Sequence, residues 1–189
     1  MRSANFLNIF VKKIFLILSL FIICKTALAQ EDVELEPKQI ALEQIIDSSF
    51  YRFTIYEIQE ENEIDYKRCY IAAYPVNSDS NHNSRKKPKL MITRFQKDRS
   101  EEISIFGGFE YKIGSEIFLM IDNGLFKMKT KDDMAWALTK YDDIAIIQAL
   151  LKGAVLRVRS NSAVGTFAID EYSLKGITRA YARMREICK

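Results

Sequence analysis

Histidine is almost absent. The 189 residues contain one, His82, set between Asn81 and Asn83 in a polar stretch that reads as a solvated loop. Nucleophilic triads and structural zinc sites normally draw on histidine, so histidine-dependent hydrolysis is set aside at once. Glycine is sparse as well, at seven residues. Gly107, Gly108 and Gly114 sit where turns are expected; no Gly-x-Gly-x-x-Gly opens a helix and no Walker loop exists, which removes the usual cradles for nucleotides. The three cysteines are widely spaced and match no metal-site pattern. Asp132-Asp133 and Asp142-Asp143 could in principle ligate calcium or act as paired carboxylates, but they lack EF-hand spacing. Loop solvation and helix capping account for them. The expectation is therefore no catalytic residue, no metal, no cofactor and no enzymatic activity. No internal repeat is visible.

What is present is a leader followed by enough apolar material for one core. Residues 1–13 carry three positive charges, residues 14–23 form an apolar run with Ser19 its one polar member, and Ala27-Leu28-Ala29 offers a small-x-small cleavage site. Cleavage there makes Gln30 the new N-terminus. A membrane anchor needs about 20 apolar residues, and Lys12, Lys13 and Lys25 interrupt this one on both sides. Cys24 raises the alternative of lipid attachment, against which stands Ile23, since that reaction wants a small residue before the cysteine. The leader also explains the charge. Its four basic residues come out of 28, leaving 24 against 25 acidic ones, so the net charge of +3 is the leader's and the rest of the chain is no general binder of nucleic acid. With 48% apolar and 12% aromatic residues, intrinsic disorder is not expected for most of it.

Three segments follow from this: a signal peptide over 1–29, an acidic arm or short helix over 30–50 marked by Ile40, Ile45 and Ile46, and a β-rich domain over 51–189. Alternating apolar and polar residues predict strands at 51–58, 68–74, 90–95, 102–106, 156–159 and 164–170. Asn123-Gly124 between two apolar runs predicts a hairpin with those two residues at its tip. Residues 76–89 read as a surface loop. Asp142 or Asp143 caps a helix that Gly153 stops, and Ser173 caps a last helix with Leu174, Ile177, Tyr181, Met184 and Cys188 on one stripe. About eight strands and two late helices predict a β-sandwich-like fold or half-open barrel with the helices packed on it.

Two features invite a functional reading. If Cys24 leaves with the leader, Cys69 and Cys188 remain in a compartment that permits disulfides. They pair across the domain or, if there is no export, persist as two buried thiols. The run Arg85, Lys86, Lys87, Pro88, Lys89 reads either as a solvated tip or as a site for an anionic lipid or glycan surface. Trp136, flanked by alanines, reads as part of a core strand.

Six pieces then line up in order: Cys69-Tyr70-Ile71-Ala72, Leu90-Met91-Ile92-Thr93-Arg94, Gly114-Ser115-Glu116, Ala135-Trp136-Ala137, Tyr172-Ser173-Leu174-Lys175-Gly176 and Cys188. In this order they resemble the invasion-associated locus B (IalB) family of bacterial exported proteins, over residues 66–188. The resemblance implies a signal peptide, a β-sandwich-like domain with two helices, and residence in the periplasm or at the outer membrane. Some members are linked to host-cell invasion; the resemblance carries no catalytic residues. The expected function is a non-enzymatic envelope protein that binds an unidentified envelope or host-surface protein. A periplasmic chaperone or assembly factor is the alternative, and a carboxylate-dependent envelope hydrolase a third.

Overall fold

The computed structural model describes residues 38–46, 52–59 and 67–189. The leader with Cys24, residues 30–37 of the acidic arm, and the expected turn at Glu60 to Glu63 lie outside the described residues. In chain order the elements are β1 (Lys38–Ile46), β2 (Arg52–Gln59), β3 (Lys67–Ala73), β4 (Asn77–Ser80), β5 (Lys89–Phe95), β6 (Glu101–Phe106), β7 (Glu116–Ile121), β8 (Gly124–Lys131), β9 (Met134–Ala137), α1 (Lys140–Lys152), β10 (Val155–Asn161), β11 (Phe167–Ser173) and α2 (Ile177–Ile187).

All eleven strands among the described residues join one antiparallel sheet, ordered β1-β2-β3-β5-β6-β9-β8-β7-β10-β11-β4. That order forces the sheet to curl. β3 and β4 are eight places apart, about 38 Å in a flat sheet. Yet only Tyr74, Pro75 and Val76 join them, and four chain steps span at most about 14 Å. The sheet therefore bends back until its β11-β4 edge comes near the ends of β3 and β5, as a half-open barrel does. The expected fold class holds.

Alternation decides what fills the curl. In β7, Ile117, Leu119 and Ile121 are buried while Glu116, Phe118 and Met120 are exposed. In β10, Leu156 and Val158 are buried while Arg157 and Arg159 are exposed. The buried series joins Ile146, Ile147 and Leu150 of α1 and Ile177, Ala180 and Met184 of α2 in a single core. Each core aliphatic side chain contributes about 1.5–3 kcal/mol of transfer free energy relative to exposure.

Local expectations were displaced at several points. Residues 38–46 form an edge strand against β2 with a bulge between Ala41 and Glu43, in place of the expected short helix. The pairing groups of β2 supply what local sequence could not reveal. Within the expected loop 76–89, β4 pairs with β11, and side chains compensate for its lack of apolar residues: Ser78 Oγ donates to Asp170 at 2.7 Å and Ser80 Oγ to the Phe167 carbonyl at 2.9 Å.

The β7-β8 hairpin turns on Asp122-Asn123, one residue earlier than expected, because Ile121 pairs with Gly124. Asp122 takes the positive φ of 48° and its carboxylate accepts from Ala154 and Val155 backbone N–H groups, a compensation open to aspartate but not to Gly124. Thr139, rather than Asp142 or Asp143, caps α1, its Oγ1 accepting from Asp142 N at 3.2 Å. Gly176 with φ 88° precedes α2, and Ser173 instead closes β11.

Candidate functional site

Cys69 and Cys188 form a disulfide across 119 residues, with Cα atoms 5.9 Å apart, and both are fully buried. It fastens the end of α2 to β3. Arg94 of the neighbouring strand β5 reinforces the same point, because its Nε donates to the Cys188 carbonyl at 3.1 Å and its Nη1 to Glu101 at 2.7 Å. Tyr181 of α2 also donates its hydroxyl to Glu101, and burial followed by that bond pushes the phenol up to about 12. The end of α2 is thus held by the covalent bond and by polar ties from Arg94 and Tyr181. Arg94 and Glu101 are parts of this anchor that sequence reasoning missed; a charged residue on an apolar strand was the available signal.

The basic run Arg85 to Lys89 does not act as one group. Arg85 turns inward and forms a forked pair with Asp170, Nη1 to Oδ1 at 2.8 Å and Nη2 to Oδ2 at 2.6 Å, with side chains 7% and 1% exposed. Its Nε donates to the Gly107 carbonyl at 2.7 Å, and its guanidinium lies 4.8 Å from the centre of the Phe109 ring. His82 stacks on the other part of this aromatic group, 5.3 Å from Phe109, and is half-buried rather than fully solvated. The two glycines are required here. A Cβ on Gly108, at φ 77°, would stand 2.1 Å from the Lys86 carbonyl oxygen, and one on Gly107 would stand 2.5 Å from the Tyr111 ring. Of the remaining cations, Lys87 lies over Tyr74 at 4.0 Å and Lys89 is half-buried in β5, which leaves Lys86 and Lys87 exposed.

A second place gathers groups of different chemistry. An open cavity of about 520 Å³ is lined by Glu102, Lys129, Trp136, Leu138, Lys140 and Asp143 among others. Burial, and then the neighbouring Asp143 charge, raises the Glu102 carboxyl above its ordinary range; a hydrogen bond from Trp136 and the charges of Arg68 and Lys129 oppose this. Asp143 is raised by burial, against a 2.9 Å bond it accepts from the Ile103 backbone N–H. That bond has a structural purpose: β9 pairs only with Ser104 to Phe106 of β6, so Asp143 satisfies the next free N–H group on that edge. Trp136 is half-buried on the outward face of β9, where the sequence placed it in a core strand. No metal-holding group of three or more His, Cys, Asp or Glu side chains occurs among the described residues.

A further feature without a role in the core is the outward face of β8, β7, β10 and β11. Register places Lys127, Phe118, Arg159 and Ile169 in one row and Leu125, Met120, Arg157 and Glu171 in the next. Leu125 is 63% exposed, Met120 41% and Phe118 and Ile169 36% each. Lys127 pairs with Glu116 at 2.9 Å and Arg157 with Glu171 at 2.8 Å. Arg159 has no acidic partner among the described residues, and an apolar side chain flanks it on each side. Sequence reasoning noted Arg157 and Arg159 only as polar positions of a strand. Their neighbours on this face come from other hairpins and leave no contiguous signal.

A curled antiparallel sheet packed against two helices, tied by one buried disulfide and presenting apolar and basic side chains on its outer face, defines a small disulfide-linked β protein. The chain belongs to the family described as invasion associated locus B (IalB) protein, whose model matches residues 58–185. Neither the curated proteins nor the solved structures yield a match to the chain.

Proposed function

We propose that this chain is an exported envelope protein, resident in the periplasm or at the outer membrane, that acts by binding a component of the envelope or host surface and contributes to host-cell invasion. The observation that carries the reading is the buried Cys69–Cys188 disulfide, a bond that forms and persists in oxidising compartments and is rare in a reducing cytosol. The family description supports the link to invasion. The leader read from residues 1–29 supports export. In this reading the acidic pair in the open cavity is structural, since Asp143 is committed to a backbone N–H and Glu102 to Trp136.

Mass spectrometry of the protein from cells should show a chain beginning at Gln30, and thiol labelling should require prior reduction under denaturing conditions. A retained Met1 together with two freely labelling thiols would overturn export. Crosslinking in intact cells should recover one stable envelope or host-surface component. Recovery of many unfolded outer-membrane clients, with broad suppression of aggregation by the purified protein, would replace the reading with a chaperone.

A further inference from the structure

The outward face of β7, β8, β10 and β11 combines features that a solvated sheet face does not need. Four large apolar side chains stand exposed within two adjacent rows, and cations alternate with them. Two of the four cations, Lys127 and Arg157, are neutralised by Glu116 and Glu171. Lys129 lies beside Glu102 and Asp143 in the open cavity, which leaves Arg159 as the cation of the face without an adjacent acid, with Asp79 on β4 the one further acid in its rows. Arg159 stands at its centre between Phe118 and Ile169.

Size and charge together narrow the occupant. Four strands about 4.8 Å apart and three outward positions about 6.8 Å apart cover roughly 400 Å². A stable protein–protein contact buries about 800 Å² on each partner, so the face falls well short of one. A second copy of the chain would set one positive centre against another. A lipid surface needs neither large area nor shape complementarity: isolated apolar side chains enter the boundary between headgroups and acyl chains, and each neighbouring cation meets phosphate. The guanidinium is suited to that task, because its fork matches two phosphate oxygens.

We propose that this face docks on an anionic phospholipid membrane, with Arg159 on lipid phosphate and Phe118, Met120, Leu125 and Ile169 in the headgroup boundary. The proposal rests on the reading of the chain as an envelope protein that acts by binding, and it names the surface and the chemistry of that binding. It also moves the anionic contact away from the run Arg85 to Lys89, where the linear sequence placed it.

The test is cosedimentation of the purified protein with vesicles of phosphatidylglycerol and phosphatidylcholine, against phosphatidylcholine alone, at low and high salt. Binding is expected to the anionic vesicles and to weaken as salt rises, since exposed charges are screened over about 8 Å at physiological ionic strength. Arg159→Ser should weaken binding about fivefold, the effect of one basic residue near an anionic surface. Met120→Ser with Leu125→Ser should weaken it further, whereas Lys86→Ser with Lys87→Ser and Lys89→Ser should leave it unchanged. A cooperative urea transition like the parent's confirms that each variant is folded. Equal binding by the Arg159→Ser protein, loss of binding in the loop variant, or no preference for anionic vesicles would each overturn the proposal. Absence of vesicle binding alongside a single crosslinked component in cells would remove this inference and leave the broader reading standing.

Discussion

Two groups of cations in this protein teach opposite lessons about sequence neighbourhood. Arg85, Lys86, Lys87 and Lys89 are contiguous apart from Pro88, yet the fold scatters them: Arg85 is buried on Asp170, Lys87 lies over Tyr74 and Lys89 enters β5. Lys127, Lys129, Arg157 and Arg159 come from separate hairpins, yet β-register gathers them on one face. In a strand every second side chain shares a face, which brings distant charges together; Arg85 to Lys87 lie between β4 and β5, and their separate partners split them. Of the first group only Arg85 joins the fold's internal ion pairing; of the second, Lys127 and Arg157 are tied to surface acids and Lys129 lies beside Glu102 and Asp143, which leaves Arg159 to meet a ligand.

The sharpest way to break this comparison is Arg85→Ala. It would leave Asp170 buried without its charge partner, and losing one member of a buried pair costs about 3–5 kcal/mol. Urea denaturation of the two proteins measures it, and a change within about 0.5 kcal/mol would place Arg85 among ordinary surface residues. Replacing both Cys69 and Cys188 by alanine calibrates the scale, with an expected loss of about 2–5 kcal/mol. Because Arg94 and Tyr181 still hold the end of α2, the helix should stay formed but exchange its amide hydrogens first. Uniform acceleration across the sheet would contradict this anchor.

A smaller effect separates paired from unpaired charges through pH. Native Glu102 holds its proton to a higher pH than in the unfolded chain, because burial and Asp143 raise it. From the ordinary carboxyl value, about 4.3, up to the raised one, the native state binds more protons, so this residue's contribution to stability falls as pH rises. Glu102→Gln should therefore be more stable than the parent at pH 7 and equal to it near pH 3. Thermal unfolding at the two pH values decides the sign, and a variant less stable at pH 7 would show that Glu102 is a favourable charge. The smallest expected change belongs to Lys86→Ser with Lys87→Ser and Lys89→Ser, within about 0.5 kcal/mol of the parent. Arg159→Ser should match it in stability and differ from it only on anionic vesicles.

Much of the fold was legible where the signal is local. The strands at β5, β6 and β7, the Gly153 stop of α1 and the stripe of α2 follow from spacing alone. Errors arose where a partner distant in sequence decided the outcome. β1 is a strand because β2 offers free pairing groups, and β4 because Asp170 and Phe167 receive its serines. The hairpin tip moved to Asp122 because the backbone N–H groups at the start of β10 stabilise its carboxylate. The candidate face was missed for the same reason, since its four strands contribute only one or two members each.

By itself the sequence determined which residues turn inward where apolar and charged positions alternate, as with Leu156 and Val158 against Arg157 and Arg159, since a period of two follows from strand geometry and the apolar side chains take the dry face. It also limited the cysteines available to the described domain to Cys69 and Cys188. Tertiary structure alone decided how the sheet closes, which basic residues are buried, and which face is left apolar and charged. Those outcomes depend on hydrogen-bond register between strands far apart in the chain and on the short β3–β4 link that curls the sheet, neither of which local pattern encodes.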